Sequence, residues 1–455
     1  MVALSVALFA HLSLGSSNPA QDIIDLSKDE NRVMMILKEL CYNVGARPTG
    51  SPELQKAEQW AMKKFQSFGY KDAHLEKWAD VPVGFQRGPN NSAKMLKPST
   101  ADLVFSTNCW MPGTKGPTKG KVVFAPKTME QFAEVKGQLK GAWVLTDTSV
   151  TMRGPQTEKE DAKTRQAIID AGILGFVYGS SSDLIHTHGS WVNKTYENRP
   201  TTVELTVRKA DYDLLAQNVR DGKETVAEFN IDNRWIKGPI PVHNVVAEIK
   251  GSEKPDEIVI VGGHLDSWNS PGSQGCNDNG TGSSATIEAA RLIMKSGVKP
   301  KRTIRFILFT GEEQGLLGSA EYVKQHADEL PKISACIVDD GGSNYENGVS
   351  GFPQWEKYFA PAFESMTKAF PSMPMKFSPN PNYNGSGGSD QGSFWAKGVP
   401  AFFMGKAGSQ NYRHIWHTQY DRYEEAVPEY LKQVSTSLAV VTFNIANADS
   451  MMPRP

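Results

Sequence analysis

The sequence predicts an α/β protein in which a mixed, mostly parallel central sheet carries helices on both faces and a smaller α+β domain is inserted. Three observations predict it. Beyond residue 238, near-continuous apolar strand patterns alternate with amphipathic helical patterns, as expected of parallel strands buried on both faces. Between residues 100 and 238 the texture changes to short β-rich runs joined by Gly, Pro and Ser turns. The stretch before residue 100 instead carries apolar residues at helical spacing.

In chain order, "MVALSVALFAHLSLGSSNPAQ" has an apolar run from Val2 to Leu14 followed by small residues, the shape of a signal peptide over residues 1–20. The run is too short to span a bilayer, so export to a secreted or periplasmic location is expected, with no membrane span. Residues 21–99 then form the first part of the larger domain. Val33, Met34, Ile36, Leu37, Leu40 and Cys41 recur at helical spacing, and "GSPELQKAEQWAMKKFQSFGY" follows with Ser51 as cap and Pro52 at the first helical position. In the inserted domain, residues 100–238, the runs "GKVVFA", "KGAWVLTDT" and "GILGFVYGSS" read as strands. Pro239 and Pro241 cannot donate to a central ladder and mark the boundary to residues 239–455. There "EIVIVGGH", "RTIRFILFT", "SACIVDD" and "VPAFFMG" are the strands, and "PEYLKQVSTSLAVVTFNIAN" closes the chain as a helix.

The 455 residues suit two domains of ordinary size. With 49 basic and 50 acidic residues and no run of like charge, neither a nucleic-acid footprint nor a polybasic membrane patch is present. Cys41, Cys109, Cys276 and Cys336 match neither a disulfide framework nor a thiolate metal site.

In such sheets the working groups gather beyond the carboxyl ends of the strands. His264 and Asp266 follow "EIVIV", Asp278 sits in the loop "GCNDNGTG", Glu312 and Glu313 follow "IRFILFT", Asp339 and Asp340 follow "ACIV", and His417 lies in "RHIWHTQYD". Two imidazoles and several carboxylates make the donor set of a hydrolytic zinc site. Two ions need one bridging carboxylate, and of the adjacent Glu312 and Glu313 one can bind metal while the other faces a metal-bound water. His264 leaves its strand as a ligand, and Asp266, on the same side of the chain, can accept its other ring N–H. Each feature alone suits a hydrogen-bonded histidine or a solvated helix start, and it is their joint occurrence that points to a site. His186 and His188 in "IHTHGS" have no nearby carboxylates and read as a surface loop; His414 competes with His417, and His243 and His326 read as structural or exposed. Of the sequons at Asn90, Asn193, Asn279 and Asn384, the third adjoins Asp278, where a glycan would contradict the site.

The stretches "GGHLDSW", "GCNDNGTGSSATIEAARLI", "FTGEEQGLLGS", "ACIVDDGG", "GSDQGSFWAKGVPA" and "WHTQYD" resemble, in order, the co-catalytic zinc exopeptidases of clan MH. The front end "VGARPTGSPELQKAEQWA" is similar to the carboxypeptidase Q branch of that group, and the insert looks like a protease-associated domain. The resemblance implies two Zn²⁺ per chain, His264 and Asp340 on one, Glu313 and His417 on the other, with Asp278 bridging and Glu312 as general base. "VDDGG" offers two aspartates, and counting from the strand start favours Asp340 over Asp339. A cis peptide from Asp278 to Asn279 is also implied. Cys276 and Asn277 before the bridge and Gln391 after Asp390 depart from the pattern in some members, which bears on substrate preference. The implied function is a secreted di-zinc exopeptidase that hydrolyses the N-terminal bond of short peptides, as an aminopeptidase or dipeptidase, with a metal-bridging water activated by Glu312. Tyr383 in the Gly-rich "NYNGSGGSDQGSF" is a candidate pocket residue, and the insert a lid that limits substrates to short peptides. A carboxypeptidase is the rival enzyme, with Arg413 as the cation for a substrate carboxylate, and a receptor-like homologue without catalysis is the rival of another class. Similar proteins also imply a homodimer.

Overall fold

Six strands build the central sheet of the larger domain: β1 (His74–Arg87), β2 (Asn233–Ile249), β3 (Lys254–His264), β4 (Arg302–Phe309), β5 (Ile333–Val338) and β6 (Ala401–Phe403). The computed structural model describes residues 18–151, 154–156 and 162–455, so the expected leader lies almost entirely outside the described residues. Their order is β1-β2-β4-β3-β5-β6. The pairs β4/β3, β3/β5 and β5/β6 are parallel, while β1/β2 and β2/β4 are antiparallel. Alternation along the strands divides the core. Val259 and Val261 face a large cluster with helices Val33–Asn43, Thr281–Ser296 and Pro428–Asn447. Ile258 and Ile260 face the opposite cluster, with Tyr322, Val323 and Phe394. Every residue of β4 and β5 is buried, which explains why their sequences are mostly apolar, the buried Arg302 and Arg305 being paired with Glu257 and Glu248.

The helix expected after Ser51 spans Pro52–Ser67, and the Ser51 hydroxyl accepts the Leu54 N–H at 3.0 Å. One further helix, Pro19–Glu30, precedes the two read from the sequence and is capped by the Asn18 side chain. It overlaps the end of the expected leader stretch at Pro19 and Ala20.

A second sheet of nine strands collects residues 92–230, against the expected 100–238. Its parallel centre, Thr118–Phe124, Ala142–Thr151, Gly175–Ser180 and Val203–Val207, is flanked by antiparallel strands. Helices Met129–Leu139 and Ala162–Asp170 cover one face, and helix Lys209–Arg220 the other. The two sheets are joined by β1 and β2, which run together as a long antiparallel ribbon from His74↔Val246 to Arg87↔Asn233. Pro239 and Pro241 lie inside β2, Pro241 paired with Asp80 and Pro239 in a register shift between Val81↔Ile240 and Val83↔Lys237. β4 pairs with β2 only over Val245–Ile249, so the prolines occupy a stretch bonded on one side alone, where a missing N–H costs no ladder bond. Arg87 fastens the far end of the ribbon: its guanidinium donates to the Asn269 carbonyl, the Thr107 carbonyl and hydroxyl, and the Asn233 side chain. Among the described residues no helix is long and apolar enough to cross a membrane.

At the rim of the central sheet, β3, β5 and the start of helix Thr281–Ser296 approach closely around the Asp339 carbonyl. A Cβ on Gly263 would lie 2.7 Å from that oxygen and one on Gly282 only 2.2 Å from it. Gly282→Ala is therefore expected to cost about 1–3 kcal/mol of stability by overpacking. A urea midpoint equal to that of the parent protein would show that the rim has room to spare.

Candidate metal centre

The strand ends bring the sequence-predicted groups to one place. His264 is the last residue of β3, Glu312 and Glu313 come just after β4, and Asp339 and Asp340 directly follow β5. Asp278 sits in the turn Cys276–Gly280 that enters helix Thr281–Ser296. His417 follows the short helix Tyr412–Ile415 and holds a left-handed backbone, φ 58°.

Two triads of potential ligands result, each with its donor atoms within 4.8 Å of one another: His264, Asp278 and Asp340, and Asp278, Glu313 and His417. Asp278 belongs to both. Its Oδ1 lies 3.5 Å from His264 Nε2 and its Oδ2 3.2 Å from His417 Nε2. Asp340 Oδ2 is 3.6 Å from His264 Nε2, and Glu313 Oε2 is 3.1 Å from His417 Nε2. Glu312 Oε2 stands 3.9 Å from His264 Nε2, with its side chain 15% exposed to the cleft. The peptide from Asp278 to Asn279 is cis.

Electrostatics explains the fit to cations. Four carboxylates face two imidazoles, and Asp278 Oδ2 and Glu313 Oε1 are buried without a hydrogen bond. Burial pushes Glu313 up to about 7 against the pull of His417, and it raises Glu312 well above the usual range, with Asp340 and Glu313 adding to the effect. Burial works against charge on His417, yet Glu313 and Asp278 hold it up at about 10. The same balance raises His264 through Glu312 and Asp340. Burial opposes the Asp278 charge too, but the two imidazoles keep that carboxylate below its ordinary range. Nε2 of each ring faces the same carboxylates that raise it, so a cation bound there would meet that negative field.

Asp339, the alternative to Asp340, turns away and pairs with Lys406. Asp266 acts differently from the sequence expectation. The Nδ1–H of His264 donates to the Asp266 carbonyl at 3.0 Å, while the carboxylate stands 3.7 Å away. That carboxylate instead accepts the N–H groups of Glu312 at 3.2 Å and Glu313 at 3.3 Å, and the Thr49 hydroxyl. Spacing along the strand could place both acceptors near the ring but could not rank backbone against side chain. Asp421 plays the same part for the bridge, accepting the N–H of Asn277 at 2.5 Å and of Asp278 at 3.4 Å. It had gone unread within "WHTQYD".

The cleft measures about 450 Å³ and is lined by Asp278, Glu312, Glu313, Asp340 and His417 together with Leu316, Phe403, Tyr412 and Trp416. Tyr383 does not line it. Its ring packs among Phe352, Trp355, Trp395 and Phe402, and its hydroxyl donates to the Ala401 carbonyl at 2.8 Å. Arg413 is exposed and also absent from the lining, as is His414, which stacks on Tyr420. Asn279 is fully buried, its amide donating to the Asp339 carbonyl and accepting from Gly282 N–H, which leaves no room for a glycan. The "IHTHGS" segment is not a surface loop: His186 and His188 are half-buried against Trp416, and His188 also meets His417. A fold contact between segments so far apart leaves no local pattern to read.

Residues 244–442 match the family model described as Peptidase family M28. Carboxypeptidase Q of Mus musculus is 27% identical over 447 residues, covering 96% of this chain and 90% of that protein. A peptidase M28 precursor from Shewanella amazonensis is 26% identical, with a TM-score of 0.69 over 96% of this chain and 98% of that one. A zinc aminopeptidase from Bacillus subtilis shares the fold, with a TM-score of 0.58 at 21% identity over 91% of this chain and 94% of that one.

Removing the Asp266 carboxylate orphans the two N–H groups that it holds. Asp266→Ala is expected to destabilise the protein by about 1–3 kcal/mol, read from urea unfolding. An unchanged midpoint would mean that the Glu312–Glu313 turn holds itself.

Proposed function

We propose that this chain, whose residues 244–442 match the model of peptidase family M28, is a zinc exopeptidase that removes the N-terminal residue of short peptides. The observation that carries this reading is the Asp278 carboxylate, one oxygen of which faces each triad. His264 and Asp340 would hold one ion, Glu313 and His417 the other, and Asp278 both. Two zinc ions held there would supply Lewis acidity, polarising a scissile carbonyl and lowering the pKa of a bound water to about 7.

The protein's own part is proton transfer and orientation. Glu312 Oε2 takes the proton of the attacking water and passes it to the leaving amine nitrogen. Asp266 fixes where that carboxylate stands, through the Glu312 N–H. Leu316, Phe403, Tyr412 and Trp416 offer an apolar wall to the substrate side chain. No Lys or Arg is among the described residues that line the cleft. A carboxypeptidase would need such a cation, and Arg413 does not reach the lining, so attack at the amino end is favoured. The second sheet is read as a protease-associated domain that closes one side of the cleft, since its segment Ile185–His188 bonds to Gln419 and His417. Export belongs to the same reading, supported by the run Val2–Leu14.

Glu312→Ala is expected to keep its zinc and to lose at least about a hundredfold in turnover, general bases contributing about 10²–10⁴. Near-normal turnover would remove Glu312 from the proton transfer. A dipeptide amide should be cleaved and an N-acetyl dipeptide should resist, in assays that a chelator abolishes. The opposite preference would favour the carboxypeptidase reading.

A further inference from the structure

The two candidate ligand histidines differ in what holds their far nitrogen. His264 Nδ1–H donates to a carbonyl of its own loop, that of Asp266. His417 Nδ1 instead lies 3.3 Å from Nδ1 of His188, which belongs to the second sheet's module. Only one of two facing imidazole nitrogens can carry the proton. His417 Nε2 faces Asp278 and Glu313, so an ion there requires the His417 proton on Nδ1, and His188 Nδ1 must then accept it.

His188 is built in as a fixed acceptor. Its N–H donates to Asn108 Oδ1 at 3.0 Å, and its carbonyl accepts the Cys109 N–H at 2.8 Å. Its ring lies edge-on to Trp268 and Trp416. The neighbouring Thr187 N–H donates to the His417 carbonyl at 2.8 Å, and the Thr187 hydroxyl bonds to Ser106 and Ser270. Backbone and ring of His417 are thus both gripped from the module, at a residue whose left-handed φ persists only where its surroundings impose it.

We propose that His188 is a positioning residue of the metal centre, accepting the His417 Nδ1–H and so aiming the Nε2 lone pair at the ion shared with Glu313 and Asp278. The proposal rests on the zinc reading above. It makes affinity for one ion depend on the module, while the His264 ion is held within the central sheet's own loops.

The test uses the full chain, stripped of zinc and titrated against a chromophoric chelator. His188→Phe keeps an aromatic ring in the cluster and removes the acceptor; His188→Asn supplies an amide oxygen instead. His188→Phe is expected to weaken one of two zinc ions by about 10–100-fold and leave the other unchanged, with His188→Asn recovering part of the loss. Parent protein that binds zinc, alongside a His188→Phe variant that binds both ions equally well, overturns the role of His188 and leaves the zinc reading intact. Parent protein that binds no zinc overturns both. Equal weakening of both ions in both variants, with a lowered melting temperature for the zinc-free forms, also overturns it, since that is what a merely structural residue does. Should His188→Phe fail to fold, ¹⁵N-histidine spectra of the zinc-loaded parent decide: a proton on His417 Nδ1 supports the proposal, and one on Nε2 overturns it.

Discussion

Like charge at one buried rim is the constraint on which the rest of this structure depends. Asp278, Glu312, Glu313 and Asp340 converge where water is scarce, and two carboxylates 4 Å apart repel by about 4 kcal/mol at an effective dielectric of 20. Two imidazoles cannot neutralise four such groups. Without cations the cluster must recruit protons, and the raised His264, His417, Glu312 and Glu313 record that demand. Stability alone gives no reason to assemble this set, which is why its place at the strand ends makes it a candidate site.

The scaffold bears the strain by surrounding the cluster with fixed dipoles. Asp266 and Asp421 are themselves carboxylates, yet each is spent on backbone N–H groups and so locks the turns that carry Glu312, Glu313 and Asp278. Arg47, fully buried behind them, donates to the carbonyls of Gly45, Leu265, Gln274 and Gly275 and ties the front of the chain to both loops. The rim is therefore rigid before any ligand arrives, which preorganisation requires.

How much of this could be read from the sequence follows from the range of each interaction. The parallel strands were legible because burial on both faces leaves mostly apolar runs, and their acidic ends only through their joint occurrence, since a single carboxylate in that place can serve an ion pair, as Asp339 does with Lys406. Helix Pro52–Ser67 was legible through its local cap. Illegible were the choices made by tertiary packing. Tyr383 looked like a pocket residue in a Gly-rich loop, but Phe352, Trp355, Trp395 and Phe402, spread along the chain, draw its ring into the core. Pro239 and Pro241 looked like a boundary, but one-sided pairing admits them within a strand. His188 had no local signal, since its partner lies 229 residues away.

Why an imidazole, and not the more usual carboxylate, should stand behind His417 follows from the same charge balance. An aspartate at position 188 would accept the Nδ1–H more strongly, but it would add a fifth negative charge beside Asp278 and Glu313, both already crowded. A neutral ring accepts the proton with no such addition. It also packs edge-on against Trp268 and Trp416, of which Trp416 stacks on the His417 ring and Trp268 meets it edge-on. Behind His264 no such choice arises, because the carbonyl of Asp266 is already in reach as a neutral acceptor. Both ligand rings are thus oriented by groups that carry no charge, and the negative field at the rim is left to be met by whatever occupies the cleft.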